Sequence, residues 1–328
     1  VADQNNAFAK ELRFDGMTAI VTGAGGNPSM GRCHAMLLAA RGANVVVNDI
    51  GDPGVPHYDD ASSAAAVTRE IIAAGGKAVA STASVATEEG AAAIVRTAID
   101  TFGRVDILIN NAAISIASSV HEMSSEHVRK HIDVNLLGQI WMIRAAWPHM
   151  QAAGYGRIVN IGSGAFAGMA PMSIYGSTKG GVFSLTRGVA LEGAAFGIKA
   201  NSVNPGAFTR MLASQHEEAS SIYQYASENL RPEQTSPVIA FLAHEQCPVS
   251  GETFDAVGGE VRRVYLAATQ GIHDGHLTVE SLASRWDEVM GNPVDILSHE
   301  NVDTSTWALR KYESDQARVP LEQAGRVA

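Results

Sequence analysis

The sequence predicts an α/β fold: a doubly wound parallel sheet in a single domain, followed by a C-terminal extension. Three observations predict it. From Met17 onward, short β-branched runs alternate with Ala-rich windows of helical length, the rhythm of successive βαβ units. The runs are continuously apolar, as expected of strands covered by helices on both faces. The first run leads through a Gly-rich loop into a helical window. With 328 residues and 46% hydrophobic content, the chain is long enough for one large core.

Residues 1–13 read as an N-terminal arm without the apolar centre of a signal peptide. MTAIVTG (17–23) is the first strand, and 32–42 a helix stopped at Gly42. NVVVND is the second strand, 62–75 the second helix, KAVAST the third strand and 88–102 the third helix. VDILINNAA and RIVNIGS are strands separated by a helix over 125–154. A helix over 173–197 precedes the strand KANSVNPG. Residues 208–235 are polar and amphipathic after a strand end, where lids over α/β sites sit. SPVIAFLAH then reads as a helix and GETFDAVGG as a last strand and turn. The main domain therefore spans 14–260. Residues 261–328 form the extension, an irregular arm in which Leu277, Leu282, Trp286 and Val289 suggest an amphipathic helix.

Composition excludes several classes. A net charge of −10 without a dense Lys/Arg run disfavours nucleic acid as a partner. The chain lacks the uninterrupted run of about 18 apolar residues that a membrane helix needs. Two cysteines, Cys33 and Cys247, make no disulfide framework or zinc ribbon and fit a reducing cytoplasm. The pairs His127/His131 and His273/His276 have metal-like spacing, but no acid or Cys cluster accompanies them, so no metal is expected.

The loop after the first strand carries Gly23, Gly25, Ser29, Met30 and Gly31. Glycines let a backbone approach phosphates closely, and helix N-terminal amides favour them, so a dinucleotide is expected here. Asp49 lies 18 residues beyond Gly31, near the spacing of a ribose-binding acid. Its carboxylate would accept both ribose hydroxyls and repel a 2′-phosphate. No Lys or Arg between Gly42 and Asp60 offsets that repulsion, so NAD is expected rather than NADP.

Ser163 follows the strand RIVNIG, and Tyr175 and Lys179 lie one helical turn apart, on one face. A free phenol, with a pKa of about 10, is a poor base at neutral pH. A nearby ammonium favours the phenolate and brings Tyr175 closer to acid/base work. Ser163 would polarise a substrate oxygen beside it. The chemistry expected is hydride transfer at a secondary alcohol carbon.

TGAGG…MGR, Asn48-Asp49, NNAA (110–113), Asn135 in VNLLG, Ser163, YGSTK and NPGAFTR together resemble the short-chain dehydrogenase/reductase family over 14–260. The resemblance implies a Rossmann-type domain and a Ser-Tyr-Lys-Asn tetrad. Asn135 would hold a water in a relay through Lys179, which would also hold ribose beside Tyr175. Asn111, with Ala112 and Ala113, would shape the ribose site. Pro205, Gly206 and Thr209 would face the nicotinamide amide. Ser84 and Val85 stand where the family often has Asp-Val beside adenine. It also implies a homodimer or homotetramer built on the helices 125–154 and 173–197. VVVNDIG, GYGRIVNIGS and LRPEQTSPVIAFLAHEQC are similar to the dehydrogenase unit of peroxisomal-type 3-hydroxyacyl-CoA enzymes, whose relatives also act on hydroxysteroids. The implied substrate is a bulky hydrophobic alcohol or ketone, either a 3-hydroxyacyl-CoA or a steroid- or terpenoid-like cyclic alcohol.

Two departures stand out. The phosphate loop is two residues longer than the family's, with Ser29 in place of its middle Gly, and the chain continues past Gly258-Gly259. A Ser-containing loop resembles that of enoyl-carrier-protein reductases, so enoyl thioester reduction is an alternative, against which the four-residue Tyr175–Lys179 spacing argues. An inactive cofactor-binding sensor or scaffold is a second. Arg210 and Arg231 read equally as contacts to a CoA phosphate or as solvated arginines.

Overall fold

The structure is a computed structural model that describes residues 11–51 and 63–297. Eight strands form one sheet: β1 (Thr18–Thr22), β2 (Asn44–Asn48), β3 (Lys77–Ser81), β4 (Ile107–Asn110), β5 (Gly156–Ile161), β6 (Ile198–Gly206), β7 (Thr253–Val257) and β8 (Glu260–Val264). Their order is β3-β2-β1-β4-β5-β6-β7-β8. Strands β1 to β7 pair in parallel. The order reverses between β1 and β4, which opens a crevice at the carboxyl ends of those strands.

Helices α1 (Met30–Ala40), α2 (Ala64–Ala73), α3 (Glu88–Phe102), α4 (Ser125–His131), α5 (Gly138–Ala153) and α6 (Ser173–Gly193) follow the strands. The lid region holds α7 (Arg210–Ala213) and α8 (Ser221–Asn229), and α9 (Ser236–Ala243) leads to β7. Side chains alternate across each strand. Val21, Val45, Val47 and Ile109 meet Leu38 of α1, Val67 of α2 and Leu242 of α9. Ile20, Val46 and Leu108 meet Ile94 of α3, Met142 of α5 and Val189 of α6. Both faces are covered, which is why the strands read as unbroken apolar runs. The third helix starts where expected: Thr87 Oγ1 accepts from Gly90 N, with Glu88 and Glu89 in the first turn complementing the helix dipole.

Three expectations are corrected. The helix expected over 125–154 is interrupted by a π-helical turn, Ile132–Leu137, in which Gly138 N bonds to Asp133 O. One extra residue per turn there rotates Asn135 inward, and no apolar pattern signals it. The sheet does not end at 260, because β8 continues it to Val264. That strand is an exposed edge whose Arg262 and Arg263 pair with Asp255 and Glu252. Charge on an edge blocks further pairing and hides the strand from a search for apolar runs. The amphipathic helix expected around Leu277–Val289 is two short helices, α10 (Val279–Ser284) and α11 (Trp286–Val289), with no buried residue in either.

The chain divides into two compact units, Val1–Arg263 and Val264–Ala328. In the second, α10 and α11 stand between β9 (Leu266–Thr269) and β10 (Pro293–Leu297), which pair antiparallel. No helix among the described residues is long and apolar enough to cross a membrane.

A buried polar ladder ties the centre of the sheet to α6. Asn110 Nδ2 donates to Asn160 Oδ1 at 2.9 Å, and Asn160 Nδ2 donates to Thr186 Oγ1 at 2.9 Å. Thr186 Oγ1 in turn donates to Val182 O. Replacing Asn160 with Ala strands a buried donor on Asn110, so N160A should lower the unfolding free energy by about 2 kcal/mol in urea titrations.

Candidate active site

The loop from Gly23 to Ser29 joins β1 to α1 at the switch point. Ser29 is the N-cap of α1, with extended backbone, and its side chain makes no capping hydrogen bond. Thr22 Oγ1 accepts from the amides of Asn111 and Ala112 at 3.0 Å each. Asn111 Nδ2 donates to Thr22 O at 2.8 Å and Gly23 O at 2.9 Å. Gly31 must be glycine for this knot to close: a Cβ there would lie 2.5 Å from Asn111 Nδ2 and 2.5 Å from Gly23 O. The Asn111 amide holds the loop against β4, whose end continues into half-buried Ala112 and Ala113.

Asp49 follows β2 beside this loop. Its Oδ2 accepts from Gly25 N at 2.8 Å and its Oδ1 from Gly51 N at 3.1 Å. After β3, the Ser84 hydroxyl accepts from Ala86 N, and Val85 is buried in the core under α3 and α5. Pro205 and Gly206 end β6, and Thr209 caps α7 by accepting from Leu212 N.

The second cluster forms where β5 ends. Ser163 caps a 3₁₀ turn, Gly164–Ala167, with Oγ accepting from Ala165 N at 3.2 Å. Gly176 lets α6 lie against this turn, since a Cβ would meet Ala165 O at 2.6 Å. Tyr175, 9% exposed, is thereby brought beside Ser163. Lys179, one turn on and 1% exposed, donates from Nζ to Ile161 O at 2.7 Å. Its ammonium lies 5.6 Å from the Tyr175 ring centroid.

Burial reverses the expected electrostatics. It pushes the Tyr175 phenol above its ordinary value, and the neighbouring Ser163 hydroxyl is what opposes the shift. It also lowers Lys179 to about 8. The charged form of each group loses hydration in the interior, and the ammonium is aimed at the Ile161 carbonyl.

Asn135, fully buried in the π-turn, has both ends of its amide occupied. Oδ1 accepts from Ile114 N at 2.8 Å, and Nδ2 donates to Ile114 O at 2.9 Å and Thr178 Oγ1 at 3.4 Å. It fastens the segment after β4 to α6. His131, one turn earlier, does related work: Nε2 accepts from Ile116 N, Nδ1 donates to His127 O, and the ring meets Tyr175 edge-on at 6.4 Å. Both imidazole nitrogens are thus used, and no group of metal-ligating residues occurs among the described residues. Sequence reading passed over Thr22 and Thr178 and weighed His131 only as a metal ligand. The buried His at i+4 from an exposed one was the available signal. The lid meets this segment through Gln215 Nε2, which donates to Ser115 O at 3.4 Å.

A family model described as short chain dehydrogenase matches residues 17–220. A Mycobacterium tuberculosis protein named as a short-chain type dehydrogenase/reductase is 40% identical over 82% of the chain and 92% of its own length. The mouse peroxisomal multifunctional enzyme type 2 is 35% identical over 86% of the chain, which spans 38% of that enzyme. Cyclohexanol dehydrogenase of an Acinetobacter strain is 39% identical over 70% of the chain and 88% of its own length. The crystal structure of a short chain dehydrogenase from Mycobacterium avium superposes with a TM-score of 0.74 at 35% identity, covering 87% of this chain and 98% of that one.

The lowered Lys179 pKa has a stability signature. Between about 8 and 10.5 the unfolded chain holds this proton more tightly than the folded one, so stability rises with pH across that window. Relative to K179M, the wild type should gain about 3 kcal/mol from pH 8 to 10.5 in denaturant unfolding, and a flat difference would contradict the buried ammonium.

Proposed function

Because the chain belongs to the short-chain dehydrogenase/reductase family, we propose that it is an NAD-dependent oxidoreductase interconverting a secondary alcohol and its ketone by hydride transfer. Asn135, Ser163, Tyr175 and Lys179 form its working set. The observation that carries this reading is the buried Tyr175 side chain beside Ser163, with Lys179 one turn away. This cluster and the Gly-rich loop follow the carboxyl ends of parallel strands in one sheet, where doubly wound folds bind ligands.

The loop's residues fit a dinucleotide. The Ser29 hydroxyl is not used in capping α1, so it is placed to meet a diphosphate at that helix N-terminus. Asp49 stands at the end of β2 beside the loop, accepting from Gly25 N, and an acid in that place suits ribose hydroxyls. Its charge disfavours a 2′-phosphate, hence NAD rather than NADP. The nicotinamide, when bound, supplies the hydride acceptor or donor.

Tyr175 moves the proton between its own oxygen and the substrate oxygen, while Ser163 holds that oxygen in place. A phenol raised by burial stays protonated at neutral pH, the state needed to protonate a ketone oxygen. Alcohol oxidation needs the phenolate and should therefore accelerate with rising pH. Asn135 and His131 keep the wall beside Tyr175 in register through Ile114 and Ile116.

The substrate class inferred is a bulky hydrophobic alcohol or ketone, a 3-hydroxyacyl-CoA or a cyclic alcohol. The names of the multifunctional and cyclohexanol relatives support it, as does the apolar pair Phe208–Tyr223 in the lid, with ring centroids 5.1 Å apart. Ile132 and Leu191, exposed on the two helices expected at a subunit seam, support a homodimer or homotetramer.

Y175F should lower turnover at least about hundredfold while leaving NADH binding intact. Unchanged turnover on an NAD-coupled panel of acyl-CoA thioesters and cyclic alcohols would remove Tyr175 from the mechanism. NADH oxidation by 2-enoyl thioesters would point to alkene reduction instead.

A further inference from the structure

We propose that Arg210 is a pyrophosphate-binding residue, reaching from the lid segment to the loop between β1 and α1 and thereby coupling dinucleotide binding to lid position. The proposal rests on the dinucleotide reading of that loop. A Cβ built on Gly26 would lie 2.6 Å from Arg210 Nη2, 3.2 Å from its Cζ and 2.9 Å from Ser29 Cβ. The guanidinium therefore lies against the Gly26 backbone, next to the N-cap of α1. Arg210 is partly buried, and its Nη1 is shielded from solvent.

The charge balance of the loop gives this placement its meaning. A diphosphate brings two negative charges to a site whose loop contributes neutral amides and the Ser29 hydroxyl. On the other side of Gly25 stands the Asp49 carboxylate, which repels phosphate. Arg210 brings to the loop a cation whose planar fork suits phosphate oxygens. Its position against Gly26 sets it apart from the exposed Arg231. Arg210 opens α7 directly after Thr209, and Gln215, five residues on, touches the Ser115 carbonyl. A diphosphate gripped by Arg210 would thus anchor the lid segment on the phosphate loop and over the segment after β4.

NADH and ADP-ribose titrations of wild type, R210Q, R210K and R231Q test this, together with limited proteolysis within 208–235. R210Q should weaken both ligands about tenfold to a hundredfold and to the same extent, since both carry the diphosphate. R210K should fall between R210Q and wild type, and R231Q should match wild type. NADH should protect the lid from cleavage in wild type and protect it less in R210Q. ADP-ribose binding by R210Q within about twofold of wild type, with tight NADH binding by wild type, overturns the Arg210 assignment and leaves the dinucleotide reading intact. Wild type that binds neither ligand overturns both. Should R210Q fail to fold, R210K decides: affinity equal to wild type overturns the proposal.

Discussion

The Asn111 side chain, lodged under the carbonyls of Thr22 and Gly23 at 2.8 and 2.9 Å, is the contact on which the site depends. It joins β1 and β4 where the strand order reverses. Parallel strands leave their terminal backbone groups unpaired at that point, and buried carbonyls without partners are costly. One amide satisfies two of them, while Thr22 Oγ1 takes the two amides of Asn111 and Ala112. Gly31 permits the closure, so the start of α1 is placed by the same knot. The conformation of the Gly-rich loop, the position of Ser29 and the approach of Asp49 to Gly25 all follow from it.

A second set of contacts does for the cluster around Tyr175 what that knot does for the loop. Tyr175, Thr178 and Lys179 come from one helix, but their neighbours come from three other segments: Ser163 after β5, Asn135 in the π-turn and Ile114 after β4. The π-turn is the device that admits Asn135 to the interior without an unsatisfied amide. Its cost in helical regularity is offset by three hydrogen bonds to the amide, and such turns recur at working sites for this reason. His131 repeats the pattern one turn earlier, exchanging a surface role for two backbone contacts.

Burial shapes the electrostatics more than pairing does. The Lys179 and Tyr175 side chains are both buried, and each is shifted toward its neutral form. Burial thus holds the Tyr175 phenol in its protonated form and makes the Lys179 proton easier to lose. The exposed parts of the domain rely on charge in the opposite way: β8 is edged by arginines paired with Asp255 and Glu252, which keeps the sheet from extending further.

Apolar runs and helical windows were enough to determine the strands β1 to β7, the helices between them and the doubly wound class, because burial on both faces writes itself into local composition. The Ser163, Tyr175 and Lys179 positions were likewise legible, since strand-end and one-turn spacings are local. What crosses the chain was not. Asn111 reads as one more polar residue after a strand until its partners 88 and 89 residues away are in place. The π-turn around Asn135 and the charged strand β8 carry no apolar signature, and the direction of the Tyr175 shift turned on desolvation rather than on the lysine beside it in sequence. Arg210 is the sharpest case. Sequence left it balanced between a ligand contact and a solvated charge, and only the folding of the lid segment back onto Gly26 decided its neighbours. Such contacts depend on where distant segments meet, which tertiary packing sets and local pattern does not.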